Sequence, residues 1–78
     1  MKLIIETYDK DGKQVLGSRN SYLRKDATTY TGHIKRFKKY MLRYISKQAS
    51  YFLLKATNGS IYGDWKTIGK LDLKGNII

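Results

Sequence analysis

From Lys2 to Tyr8 the chain reads KLIIETY, placing Leu3 and Ile5 on one side of an extended segment and Ile4 and Tyr8 on the other. This alternation predicts a first strand over residues 2–8. Asp11-Gly12 follows, a pair suited to the positive-φ positions of a type I′ hairpin turn, so a second strand is expected over roughly residues 13–23, irregular around Gly17. The period then lengthens. Tyr30, Ile34, Phe37, Met41, Tyr44 and Ile45 recur at helical spacing, while Lys35, Arg36, Lys39, Arg43 and Lys47 fall on the opposite side. Asp26 is the first candidate helix cap, with Thr28, Thr29 and Thr31 as substitutes for a later start. Gly32 costs about 1 kcal/mol relative to alanine inside a helix, so a loose first turn is expected and the strong part runs from His33 to about Gln48.

Alternation resumes at Tyr51–Thr57, and Asn58-Gly59 predicts a second hairpin whose other arm is Ser60–Ile68. The last stretch, LDLKGNII, would add a fifth strand or a hairpin at Lys74-Gly75-Asn76. The expected fold is α+β: one domain over residues 1–78, an antiparallel sheet of two β-hairpins in the order β-β-α-β-β, with one amphipathic helix packed on one face. Leu3 with Ile5, Phe52 with Leu54, and Ile61 with Trp65 are the expected inward pairs. One helix covers one side of such a sheet, which leaves Ile4, Tyr8, Tyr51, Leu53 and Tyr62 on an open face. Tyr51, Leu53 and Tyr62 are therefore candidates for a protein or homodimer interface.

A chain of 78 residues has a thin core, and its 41% apolar content with seven tyrosines argues for folding rather than disorder. It has no cysteine, so disulfides and thiolate metal sites are excluded and a cytoplasmic location is the default expectation. The N-terminal apolar run is too short for a signal peptide, and no stretch is long enough for membrane insertion. A basic amphipathic helix can lie on anionic lipid, but here its apolar side is needed by the two hairpins.

Charge changes the picture most. Sixteen basic residues against six acidic ones give +10, and no acid occurs between Ala27 and Gly63. Solvated helix faces usually mix signs, because like charges at i,i+4 destabilise the helix. Lys35, Lys39 and Arg43 form an unrelieved like-charge ladder, which points to a polyanionic partner. Lys35, Arg36, Lys39, Tyr40, Arg43 and Lys47 are accordingly the candidate nucleic-acid-binding residues. Their phosphate contacts would be only weakly sequence-specific, on DNA or RNA. Tyr40 and His33, at the edge of this face, are candidates to stack on bases or to hydrogen-bond phosphate. Arg19, Arg24 and Lys25 would extend the patch if their loop lies beside the helix start; ordinary surface charge is the favoured reading for them.

Catalysis finds little support. A lone histidine and scattered acids make neither a His/Cys metal cluster nor a Ser-His-Asp group, and Glu6, Asp64 and Asp72 have no motif spacing. No cofactor is implied: Gly59 and Gly63 lack the strand–loop–helix frame of a phosphate loop. Nor is there zinc-finger spacing, an RRM-type aromatic signature or a GXXG clamp. The alternative to nucleic-acid binding is a protein-binding module or inhibitor docking on an acidic or nucleic-acid-binding host complex. Size, charge and the abundance of Lys, Ile, Tyr and Asn suit a phage or mobile element, and an anti-CRISPR-like antagonist would be one such inhibitor.

Overall fold

Leu3, Ile5 and Thr7 are wholly buried while Lys2, Ile4, Glu6 and Tyr8 are half-exposed, as the alternation of the first strand requires. In the computed structural model, which describes residues 1–78, β1 (Lys2–Tyr8) occupies the middle of a four-stranded antiparallel sheet. β2 (Ser21–Arg24), β3 (Tyr51–Thr57) and β4 (Lys66–Leu71) complete it in the order β2-β1-β3-β4. The two expected hairpins thus join through their first strands, with Lys2 opposite Thr57 and Tyr8 opposite Tyr51. The α+β architecture is as expected; a fifth strand is not formed.

Leu3, Ile5, Phe52, Leu54 and Leu71 from the sheet meet Ile34 and Phe37 of the helix α1 (Tyr30–Tyr40), with Ala27 closing the margin. Phe37 packs edge-on against Phe52, ring centres 5.0 Å apart, a geometry that adds about 0.5–1.5 kcal/mol beyond area burial. Ile61 and Trp65 do not join this core as an inward strand pair. They lie in the loop between β3 and β4, where the Trp65 indole N–H donates to the Ile61 carbonyl at 3.0 Å. Neither Asn58 nor Gly59 has a positive φ, so the expected tight turn gives way to this longer loop and β4 begins only at Lys66.

The first turn differs from expectation for a related reason. A type I′ turn needs a positive φ at Asp11, but only Gly12 has one, at 79°. Asp9 takes control instead: its carboxylate accepts the backbone N–H groups of Asp11 and Lys13, both at 2.9 Å. Asp9 N–H also donates to the Lys13 carbonyl, closing a five-residue turn. The same device recurs at the other end of the molecule. Asp72 accepts from Lys74 and Asn76, its N–H donates to the Asn76 carbonyl, and Gly75 has φ 81°. This turn, with a single bridge from Leu71 to Ile77, replaces the fifth strand. At the front, only a bridge from Tyr8 to Gln14 remains of the early part of the second strand, and residues 21–24 alone pair fully.

Thr29 caps α1 by accepting the Gly32 N–H at 2.9 Å. A Cβ on Gly32 would stand 2.7 Å from that hydroxyl oxygen, so glycine here keeps the cap rather than loosening the turn. Gly32→Ala is expected to show no net gain in its urea midpoint: the helical propensity of alanine, about 1 kcal/mol, is offset by a disturbed cap of similar size. A stabilisation equal to the full propensity difference would contradict this account.

The helix ends earlier than its periodicity suggests. Eleven residues already span about 16 Å of a sheet whose strands run about 23 Å, and the chain must return to start β3. A 3₁₀ turn over Leu42–Tyr44 makes the reversal, and Asn20 fixes its exit: its side-chain oxygen accepts the Ser46 N–H at 3.1 Å. Lys38 spreads its stem over Gly75 and donates to Asn76, which ties the C-terminal turn to the helix.

Candidate nucleic-acid interface

Every residue of the basic ladder is exposed: Lys35, Arg36, Lys39 and Tyr40 on α1, Arg43 in the 3₁₀ turn, and Lys47 beyond it. The two ion pairs of the molecule lie elsewhere, Arg24 with Asp26 at 3.4 Å and Lys55 with Glu6 at 2.8 Å. The ladder cations therefore have aromatic and backbone neighbours rather than carboxylates. Arg36 and Lys39 stand 5.5 and 5.2 Å from the Tyr40 ring centre, within cation–π reach. Arg43 reaches back to the Lys39 carbonyl at the negative end of the helix dipole. Lys47 separates from the group and lines a concavity with Asp9 and Asp11.

Arg19 takes the place that Lys47 leaves. Its guanidinium lies 5.8 Å from the Tyr44 ring centre and that of Arg43 lies 5.7 Å away. The contact depends on Asn20, buried between the Leu16 carbonyl and the Ser46 N–H, which anchors the Ser18–Asn20 turn beside the helix exit. Nothing in the spacing of residues 16–20 and 43–46 places them together. Tyr44 itself leaves the core face and is 52% exposed, because the 3₁₀ turn rotates it outward. Tyr30, at the other end of α1, is also exposed rather than part of the core. Arg24 and Arg36 line a second concavity beside the helix start with Thr28, Thr29 and Gly32.

His33 is not available for stacking on bases. It is 2% exposed, its ring lies against Tyr22 at 5.1 Å, and its Nε2 bonds the Tyr22 carbonyl at 3.2 Å. That carbonyl only accepts, so Nε2 carries the proton and Nδ1 is the unprotonated nitrogen, buried without a partner. Burial, which outweighs the opposing bond to Tyr22, lowers the pKa to about 4, with Arg24 and Arg36 adding to the effect. The unfolded chain thus binds more protons than the folded one between about pH 6.5 and pH 4, and stability falls with pH across that window. The slope from this group approaches 1.4 kcal/mol per pH unit. Urea midpoints of wild type and His33→Gln should diverge from pH 7 toward pH 4.5, wild type losing more; parallel curves would refute the buried neutral imidazole.

The opposite side of the sheet is uncovered. Tyr8 and Tyr51 stack at 5.5 Å with near-parallel rings, Lys70 stands 4.6 Å from the Tyr51 ring centre, and Ile4 and Leu53 are half-exposed beside them. Lys55 pairs Glu6 and donates to the Tyr8 hydroxyl. Burial works against its ammonium, but Glu6 and Tyr8 outweigh it and hold the pKa above the usual lysine value. Tyr51 and Leu53 therefore share this face as expected, whereas Tyr62 stands in the β3–β4 loop, 92% exposed and off the sheet. No helix is long and apolar enough to cross a membrane.

No protein-family model matches the chain, and no curated protein or solved structure is significantly similar to it.

Proposed function

We propose that this protein binds nucleic acid through its phosphate backbone, with little sequence specificity, using the exposed surface of α1 and the turn that follows. One observation carries the reading: Lys35, Arg36, Lys39 and Arg43 are all exposed and none is paired with a carboxylate, while the acids that do pair engage other cations. Holding like charges together costs folding free energy, and phosphates that displace their counterions would return it. Arg19 adds a fifth cation to the same surface.

Fluorescence anisotropy with labelled oligonucleotides, repeated from low to high salt, tests this. Five phosphate contacts give a log–log slope of about −4.5 on duplex and about −3.5 on single strands. Binding that vanishes by about 0.15 M salt would reduce the surface to unspecific attraction of polyanions and refute the proposal.

The uncovered sheet face supports a second reading, a protein-binding module or inhibitor, because Ile4, Leu53, Tyr8 and Tyr51 form a mixed apolar and aromatic surface with nothing packed on it. Partners retained after nuclease treatment of a lysate would favour it, and partners lost would favour nucleic acid.

A further inference from the structure

We infer that the nucleic acid taken by this surface is single-stranded, its bases stacking on Tyr40, on Tyr44 and on the guanidinium groups beside them. The inference rests on the proposed function and specifies its substrate class. Tyr40 and Tyr44 are 48% and 52% exposed, and both stand among the unpaired cations of α1 and its exit turn. Each ring has two cations within 6 Å of its centre: Arg36 and Lys39 at Tyr40, Arg19 and Arg43 at Tyr44. Significant cation–π pairs occur about once per 70–80 residues, so the surface is unusually rich in them for one short chain.

Tyr44 is the more telling of the two. Helical continuation past Tyr40 would have turned it toward the core, where a protein this small gains most from an aromatic ring. The 3₁₀ turn instead brings it out, and the buried Asn20 side chain holds Arg19 against it. Both guanidinium groups lie within 6 Å of one ring centre, so they stand within about 12 Å of each other, close to the Debye length of about 10 Å at 0.1 M salt. They repel with no acid between them; a phosphate relieves the repulsion, and the planar groups offer stacking surfaces once it does.

Strandedness follows from what each partner exposes. A duplex presents phosphates but hides the faces of its bases, so tyrosines and guanidinium planes would add little beyond charge. A single strand exposes both, and stacking on aromatic groups along a cationic track is how such strands are held without reading sequence.

The test compares a labelled single strand with its duplex at matched salt, for wild type, Tyr40→Ala/Tyr44→Ala and Tyr40→Phe/Tyr44→Phe. Wild type should favour the single strand by about 10-fold or more, and the alanine pair should lose roughly 10–100-fold on that strand with its salt slope unchanged. Its duplex affinity should hold within about 2-fold, and the phenylalanine pair should behave as wild type, since the ring and not the hydroxyl carries the stacking. Circular dichroism keeps the comparison to folded protein. Equal wild-type affinity for the two substrates, or an alanine pair that matches wild type or weakens both substrates alike, overturns the inference and leaves backbone binding standing. Wild type that binds neither substrate overturns the parent reading, and this one with it.

Discussion

Replacing Lys35, Lys39 and Arg43 together by glutamine is expected to weaken nucleic-acid binding by roughly 10–100-fold at 0.1 M salt. The salt slope should become shallower by about 2.7 on duplex and about 2.1 on single strands. Each cation that stops contacting a phosphate leaves one counterion unreleased, so slope and affinity fall together. All three side chains are exposed, and the replaced groups stabilise the fold through little besides the Arg43 bond to the Lys39 carbonyl, a contact at a helix end worth about 0.3–1 kcal/mol. The loss is thus read on folded protein. Anisotropy at several salt concentrations measures it, with Lys10, Lys66 and Lys74 converted to glutamine as the control. That control removes the same net charge from the Asp9 turn, β4 and the C-terminal turn. If both triple variants weaken binding equally, total charge matters and α1 is not the contact surface.

The largest effect on stability is expected from Phe37→Ala, about 3–5 kcal/mol. Phe37 is 1% exposed, meets Phe52 edge-on, and lies tilted against Tyr22 at 6.4 Å, so truncation opens a cavity where helix and sheet join. Total stabilities of about 5–15 kcal/mol are typical, and a 78-residue chain with eight buried apolar residues in its core belongs near the lower end. A substantial unfolded fraction without denaturant is the expected outcome. Urea titration followed by circular dichroism measures it, and a loss below about 1 kcal/mol would mean that the interface collapses around the gap at little cost.

The inward pairs Leu3–Ile5 and Phe52–Leu54 and the full extents of β1 and β3 were legible because a period of two over seven residues admits few other structures. The presence of the helix was legible for the same kind of reason; its end was not. Continuous helical spacing through Ile45 assigned Tyr44 to the core and Lys47 to the ladder, whereas the pull of Asn20 on Ser46 comes from a residue 26 positions away. Arg19 was hidden by the same long-range bond. His33 was misjudged by its neighbours in the chain: flanked by polar and charged residues, it turns inward because its Nε2 finds the Tyr22 carbonyl and its ring finds Tyr22. The turns, by contrast, carried a readable signal. Asp9 with Gly12 and Asp72 with Gly75 share an Asp-x-x-Gly spacing, and that spacing, rather than Asp11-Gly12 or Asn58-Gly59, marks where the chain reverses tightly.

The strand order also sets a schedule for folding. Its two central strands, β1 and β3, are separated by the whole of β2 and α1, so the pairing of Lys2 with Thr57 must close a long loop before it gains anything. β2 and β4 each lean on only one central strand, and the Asp9 and Asp72 turns order only their own few residues. Neither hairpin can complete a core while it waits. Assembly therefore belongs to the slower regime of non-local topologies, milliseconds to seconds, despite the shortness of the chain. Until β3 is available, Leu3 and Ile5 have no partner strand to seal them from water, and the 14 positive charges outside the two ion pairs are what keep such open chains apart.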